Sequence, residues 1–510
     1  ELHAQPEHFM PTAQQWHDAF RDVTHWLEAA SAMLLSCHVT MPEKALMLPQ
    51  YPLADGVTAD EALRKLAYDG LAKRLPEATD VYSERLNYEL GIIAQMNYSD
   101  YFLIVADFMR YAREYNILTG PGRGSSASSL VAYTTFITDV DPLQYDLVFE
   151  RFLNPERVTM PDIDIGVVDT KRTDVIQYVA KKYGAQHVAQ IITFGTLSAK
   201  AVARDVARMF NFPPDMLDAI SKAIPNKNGV TLDEAYAQSP ALQQLVHMSP
   251  RHEQWFAVAK ELEGLPRNAS THAAGVVLSP KPLVDIIPVE QGHDGVYLTQ
   301  WPMQEVEAVG LLKMDFLGLR NLTILETIRR SIYYSHGRML DFEKIPLHNE
   351  ATFALLQRGD TSGIFQLESA GMKEALRQIC PTHFLDVVAV NALYRPGPMD
   401  FIPSYARRKQ GEEAVVMPHE ALRPILQETY GVIIYQEQIL KIAAVMAGFT
   451  YGEADLLRRA ISKKNETVLK EQRGKFVSGA IAKGFDEATA RDVYALIERF
   501  ADYGFPKSHA

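Results

Sequence analysis

Cysteine is nearly missing: Cys37 and Cys380 are the only two in 510 residues. They are too few and too far apart for a disulfide framework or for a zinc site of the usual spacing. Both are expected to be ordinary buried thiols of a protein from a reducing compartment, the cytoplasm. Long apolar runs are missing too. The run at 101–105 breaks at Asp107 and Arg110, so no membrane-spanning segment is expected. The first ten residues, ELHAQPEHFM, carry acids and no apolar core, unlike a signal peptide. There are no repeats, low-complexity segments or long charge blocks. The chain opens on Glu1 rather than Met and stops at Lys507-Ser508-His509-Ala510, so it reads as a fragment.

Positive charge is also in deficit. Lys and Arg number 51 against 63 Asp and Glu, a formal net charge of −12. Taken whole, that opposes binding to nucleic acid, which requires phosphates to be neutralised; it does not oppose a local basic groove. The deficit is concentrated in residues 1–100, with 7 basic and 15 acidic side chains, whereas residues 401–510 carry 16 and 14. A hydrophobic content of 47% and a charged content of 22% are those of an ordinary globular protein. The length suggests about three domains.

Apolar periodicity predicts helices at 13–35, 60–74, 82–96 and 101–115. In the last of these Phe102, Val105, Phe108, Met109 and Ala112 share a face. Strands are expected at 163–168, 188–193, 275–278, 296–300 and 311–316. The stretch 196–265 reads as mostly helical, as does the chain beyond 320. An α/β body assembled from two separated stretches therefore encloses a helical insert and precedes a long helical region.

Three segments carry chemistry. In Met160-Pro161-Asp162-Ile163-Asp164-Ile165, strand alternation points Asp162 and Asp164 to one face and the isoleucines into a core. Adjacent carboxylates repel unless cations hold them, and hard divalent ions prefer carboxylate oxygen. Alone, the pair fits an exposed strand face better than a metal site, because so short a motif recurs by chance. In Leu312-Lys313-Met314-Asp315-Phe316, Lys313 and Asp315 share a face within a strongly apolar strand, where they are costly to leave unpaired. They form either a structural ion pair or a site in which Asp315 joins the first two acids. Three aspartates could hold two Mg²⁺ about 4 Å apart, serving both oxygens of a phosphoryl transfer. In Gly120-Pro121-Gly122-Arg123-Gly124-Ser125-Ser126, the glycines allow close backbone approach. A helix is expected to follow, so that amides, helix dipole and Arg123 would cradle a phosphate. The loop lacks the Lys-Ser/Thr of a Walker A sequence.

Longer motifs then occur in order: Glu150-Arg-Phe-Leu-Asn-Pro-Glu-Arg157, Gln190-Ile-Ile-Thr-Phe-Gly195, Lys313-Met-Asp-Phe-Leu-Gly318, Tyr394-Arg-Pro-Gly-Pro398, Tyr435-Gln-Glu-Gln438, Leu457-Arg-Arg459 and Tyr503-Gly-Phe-Pro-Lys-Ser-His509. Together with the three segments above, the chain over 50–510 resembles the C family of bacterial replicative DNA polymerases, the family of DNA polymerase III alpha subunits. The resemblance implies an α/β palm of the polymerase-β-like nucleotidyltransferase type at 50–193 and 272–320. It also implies a helical thumb insert at 194–271 and incomplete, mostly helical fingers at 321–510. Residues 1–49 resemble the tail of a PHP domain and a linker. The implied metal-binding catalytic residues are Asp162, Asp164 and Asp315. The implied nucleotide-binding residues are Arg123, Gly124, Ser125, Lys313, Arg458 and Arg459.

The resemblance implies template-directed DNA synthesis from dNTP on primer-template DNA with two Mg²⁺. Asp162 and Asp164 would bridge both ions and Asp315 would serve the catalytic one. The sliding clamp and other replisome subunits would bind through regions outside this chain, and no membrane is involved. One departure stands out: the family continues its acidic strand as D-x-D-x-D-F, whereas this chain has Gly166, which is expected to loosen the strand end. A metal-dependent phosphohydrolase or nuclease, or a DNA-binding scaffold with an inactive palm, are the rival readings.

Lys200, Arg204 and Arg208 recur every four residues, a stripe suited either to a DNA backbone or to a solvated helix face. Arg407, Arg408 and Lys409, and Lys463 and Lys464, are further basic candidates. His272 and His509 lie in family motifs, although a lone histidine is more often packed than a ligand.

Overall fold

The computed structural model describes residues 11–38, 46–157, 161–227, 229–292, 295–462, 466–501 and 503–510. Met160, Lys463 and Lys464 lie outside the described residues. Two compact units divide the chain, Glu1–Ala45 and Leu46–Ala510. The first contains helices Ala13–Ala19 and Thr24–Ser36 in place of one helix over 13–35. A capping box, Thr12 with Gln15, starts the first of them. None of this unit's described residues is buried. Cys37 is exposed and Cys380 partly so, contrary to the buried thiols expected from their scarcity.

The second unit is organised by one six-stranded sheet. Its strands are β1 (Asp164–Val168), β2 (Val188–Thr196), β3 (Pro266–Leu278), β4 (Val289–Gln291), β5 (Tyr297–Thr299) and β6 (Leu312–Leu319), in the order β1-β6-β3-β2-β5-β4. β1 runs parallel to β6, with Asp164 opposite Asp315, and β3 runs antiparallel to β6, with Gly275 opposite Asp315. Alternation sorts the two faces. Ile163, Ile165, Val167, Leu312, Met314 and Phe316 join the main core with helices Ala59–Arg74, Asp80–Gln95, Ser99–Glu114 and Arg172–Tyr183. Helix Ser99–Glu114 is buried along most of its circumference, from Tyr101 to Met109, not only on the face its periodicity suggested. On the opposite face Ala189, Ile191, Val277 and Leu311 form a smaller cluster. The acids of β1 and β6 occupy the part of that face beyond it.

β2 and β3 continue past the sheet. The chain between them, 197–265, is a separate helical body closed at its neck by two hydrogen bonds, Leu197 N–H to the Leu265 carbonyl (3.0 Å) and Gly264 N–H to the Leu197 carbonyl (2.9 Å). It has its own core around Trp255, whose indole N–H donates to the Ala203 carbonyl at 2.9 Å. Beyond β6 the described chain is helical, with two cores of its own. Among the described residues, no helix is long and apolar enough to cross a membrane.

Candidate active site

Asp162 precedes β1, Asp164 opens it, and Asp315 sits opposite Asp164 on β6. Each offers one carboxylate oxygen to a group lying within 4.8 Å. The alternation that assigned the three acids to one face therefore brings them together. The N–H of Ile163, between the first two, donates to the Tyr101 hydroxyl oxygen at 3.0 Å, fixing the strand entry on a fully buried ring. Asp315 is only 8% exposed. Its Oδ2 accepts from Lys313 Nζ at 2.7 Å, while its Oδ1 is buried with no hydrogen-bond partner. The ion pair and the three-acid cluster, posed as alternatives by the sequence, coexist.

The acids destabilise one another as anions. Burial and the charges of Asp162 and Asp315 push the Asp164 carboxyl up to about 6, against the opposing pull of Arg123 and Lys313. Burial and the Asp315 charge also raise Asp162, with Lys313 pulling it down. For Lys313, burial favours the neutral amine, but the hydrogen bond to Asp315 and the charges of Asp162 and Asp315 outweigh it and hold the lysine above its ordinary value. An orphaned buried carboxylate oxygen beside two acids that resist ionisation fits a divalent cation, which would satisfy the first and neutralise the others.

The raised Asp164 value favours its proton in the folded state, so without metal its ionisation costs stability. That cost is absent below about pH 4, grows towards pH 6 and is complete above it. Asp164→Asn should therefore stabilise the metal-free protein at pH 7, by about 1–2 kcal/mol after allowance for partial exposure. Mg²⁺ should raise the melting temperature of the parent protein more than that of the variant, and less at pH 5 than at pH 7. Thermal melts across this grid check it.

The glycine loop flanks the trio along the outer edge of β1. Gly120 N–H donates to the Gly166 carbonyl at 2.9 Å, and Thr119 bridges Val167. Gly166 is therefore held on both sides, by β6 and by the loop, and does not loosen the strand. A side chain there would meet Leu319 Cδ1 at 2.8 Å, so Leu319 occupies the space of the acid that the family pattern would place at this position. Gly124 has φ +62° and approaches Asp164 so closely that a Cβ would lie 3.4 Å from Oδ2. The expected helix does not follow directly. Ser126–Ser128 form a 3-10 turn, and only then does Ser129 cap the short helix Leu130–Thr134. The left-handed glycines turn the chain away before it can wind, so no helix dipole points at the loop. Arg123 is exposed, and Gly124 and Ser125 are partly so.

What covers the loop was not legible locally. The Ser508 hydroxyl donates to the Gly124 carbonyl at 2.9 Å, and Gly124 N–H donates to His509 Nδ1 at 3.1 Å. Burial and the charges of Arg123 and Arg395 hold His509 below its ordinary value, so it stays a neutral acceptor. Arg395 stacks on Phe505 with its guanidinium carbon 3.7 Å from the ring centroid. Arg395, Phe505 and His509, with Gln366, Asn391 and Tyr394, line a cavity of about 280 Å³.

Arg458 and Arg459 lie on helix Tyr451–Ser462, grouped around Asp455, whose side chain is 0% exposed. Arg458, 7% exposed, grips Asp455 Oδ1 through Nε (3.0 Å) and a terminal nitrogen (2.8 Å). Arg459, 36% exposed, lies 3.2 Å from Oδ2 without hydrogen-bond alignment, and Arg157 reaches the same oxygen at 3.3 Å. Arg151 joins the group: burial and the nearby Arg458 charge lower it to about 10, opposed by Glu437 and Asp455.

On helix Ala199–Met209, Lys200 and Arg204 are partly exposed and Arg208 is exposed. Asp205 bonds Arg208 at 2.9 Å and also Arg267, a further cation at 2.9 Å that the fourfold repeat did not include. Arg407 and Arg408 pair with Glu413, and Lys409 with the buried Asp386, so these three brace the helical region internally.

Residues 61–318 match the family model described as the bacterial DNA polymerase III alpha NTPase domain, and residues 321–484 match that of the bacterial DNA polymerase III alpha subunit finger domain. The chain is 52% identical over 505 residues to the DNA polymerase III subunit alpha of Bacillus subtilis (strain 168), covering 99% of this chain and 45% of that protein. It is 52% identical over 500 residues to the subunit of Halalkalibacterium halodurans, covering 98% and 45%. With the Staphylococcus aureus (strain NCTC 8325) subunit it shares 50% over 485 residues, covering 95% and 45%. It thus spans somewhat less than half the length of the curated relatives it matches. Two family models that together run from residue 61 to 484, and half-identical relatives across nearly the whole chain, show that this chain belongs to the bacterial DNA polymerase III alpha family.

Proposed function

We propose that this chain is the polymerising centre of a replicative DNA polymerase, adding deoxynucleotides from dNTP to a primer 3′-hydroxyl on a DNA template in the cytoplasm. In this reading the sheet body is a polymerase-β-like palm (50–193 and 272–320), 194–271 the thumb and 321–510 the fingers. The observation that carries it is the carboxylate trio with the buried, unsatisfied oxygen of Asp315 beside a backbone amide loop. Asp162, Asp164 and Asp315 would hold two Mg²⁺, which when bound supply charge neutralisation for the attacking and leaving oxygens.

The protein's own groups do the rest. Lys313 orients Asp315 through its 2.7 Å bond. Arg123, Gly124 and Ser125 would receive the triphosphate, the Gly124 N–H exchanging its bond to His509 for a phosphate oxygen, and Lys313, Arg458 and Arg459 add positive charge around it. The cavity beside His509 has room for the sugar and base of the same nucleotide. The thumb cations Lys200, Arg204 and Arg208 would track the duplex backbone. Replacing all three with glutamine should reduce the salt dependence of primer-template binding by roughly two counterions, because Arg208 is already offset by Asp205. Titrations between low and moderate salt check this. The sliding clamp and other replisome subunits would engage regions beyond this chain.

Primer extension by the full-length polypeptide, with and without Mg²⁺, tests the assignment. Templated extension that requires the metal supports it. Ester cleavage without dNTP would favour a hydrolase, and binding without extension would favour a scaffold.

A further inference from the structure

β3 does not run cleanly to its pairing with β6. Its register against β2 shifts between Gln190 and Ile192, where β3 passes from Val276 to Thr271, so residues 272–275 form a bulge. Bulges next to active sites commonly re-aim a side chain. Here His272 folds back on the bulge and its Nδ1 accepts two backbone N–H groups, from Ala274 at 3.1 Å and Gly275 at 2.7 Å. A ring nitrogen that accepts carries no proton, so the imidazole is neutral and its single N–H is at Nε2.

The face is set by the sheet. Gly275 is the antiparallel partner of Asp315, and paired residues project to the same side. A Cβ on Gly275 would come within 3.1 Å of His272 Nδ1. The ring therefore lies on the carboxylate face, and Gly275 makes room for it. The remaining donor, Nε2–H, is presented from the partly exposed His272.

Across this face the order is the glycine loop outside β1, Asp164 on β1, Asp315 on β6, and His272 on β3, which leads into the helical insert. In an in-line displacement the leaving group and the attacking oxygen stand on opposite sides of the transferred phosphorus. With the triphosphate on the glycine loop, the primer end must approach from the β3 side, the side that carries the basic helix Ala199–Met209. We propose that His272 is a primer-strand contact, its Nε2–H donating to a phosphodiester oxygen at the primer terminus while its Nδ1 holds the bulge in shape. This inference rests on the polymerase reading above.

His272→Asn separates the two roles, because the asparagine Oδ1 can still accept from the bulge amides but the distal donor is lost. Full-length His272→Asn should bind primer-template roughly tenfold more weakly, with an unchanged KM for dNTP. Its salt dependence should be unchanged, since a neutral donor displaces no counterion, in contrast to the thumb cations. Primers made neutral by methylphosphonate at their last phosphodiesters should bind the parent protein more weakly, a readout that requires no variant to fold, and should weaken the variant by a smaller factor. Equal binding by parent and variant, or a parent protein indifferent to every terminal methylphosphonate, overturns the contact alone. A parent protein that neither binds nor extends primer-template overturns both readings.

Discussion

Asp315→Asn should lower single-nucleotide incorporation by on the order of 10³-fold or more while leaving the melting temperature close to that of the parent. The substitution preserves shape in a site where Asp315 is walled in by β1, β3 and the side chain of Lys313. What it removes is the anion that Lys313 holds in place and the unsatisfied oxygen available to a cation. Asp162→Asn should behave similarly, since its carboxylate completes the same group. Rapid-mixing incorporation assays beside thermal melts separate the two outcomes. A fall in activity that merely tracked a fall in stability would make Asp315 a structural residue.

Asp455→Ala should strongly destabilise the helical region. One fully buried carboxylate is shared by Arg157, Arg458 and Arg459, which arrive from segments about 300 positions apart and from the same helix. Removing a buried shared counter-charge typically costs about 3–5 kcal/mol. The loss should appear as a lowered denaturant midpoint. It should also weaken dNTP binding, because the arginines would no longer be held as a group. Asp455→Asn, which keeps hydrogen-bond acceptance but not the charge, should fall between the two. An unaltered midpoint in the alanine variant would show that the arginines are held by other contacts.

These two residues mark how far the sequence could be read. Asp315 was legible because a strand has a period of two: a Lys and an Asp on the polar phase of Leu312–Leu319 have few places to go. Asp455 was not, since an acid inside an amphipathic helix looks like any other. Its importance comes from Arg157, which the fold, and not the local pattern, brings to it. The same holds for His509, whose bond to Gly124 spans 385 positions. The first half of β3 was missed because Pro266–Ser270 is exposed and polar, leaving no apolar alternation to detect. The helix expected after the glycine loop was misplaced because the residues that allow close approach, Gly122 and Gly124, also adopt backbone angles that interrupt winding.

In the polymerase reading the trio transfers nucleotides and does not hydrolyse esters. The stoichiometry of pyrophosphate against primer length tests it most directly, on the full-length polypeptide with a template directing one dNTP at a time. One pyrophosphate per added nucleotide is expected, only with the matched dNTP and Mg²⁺, and none with Asp315→Asn. Phosphate release or primer shortening without dNTP, with no lengthening when it is supplied, would contradict the account.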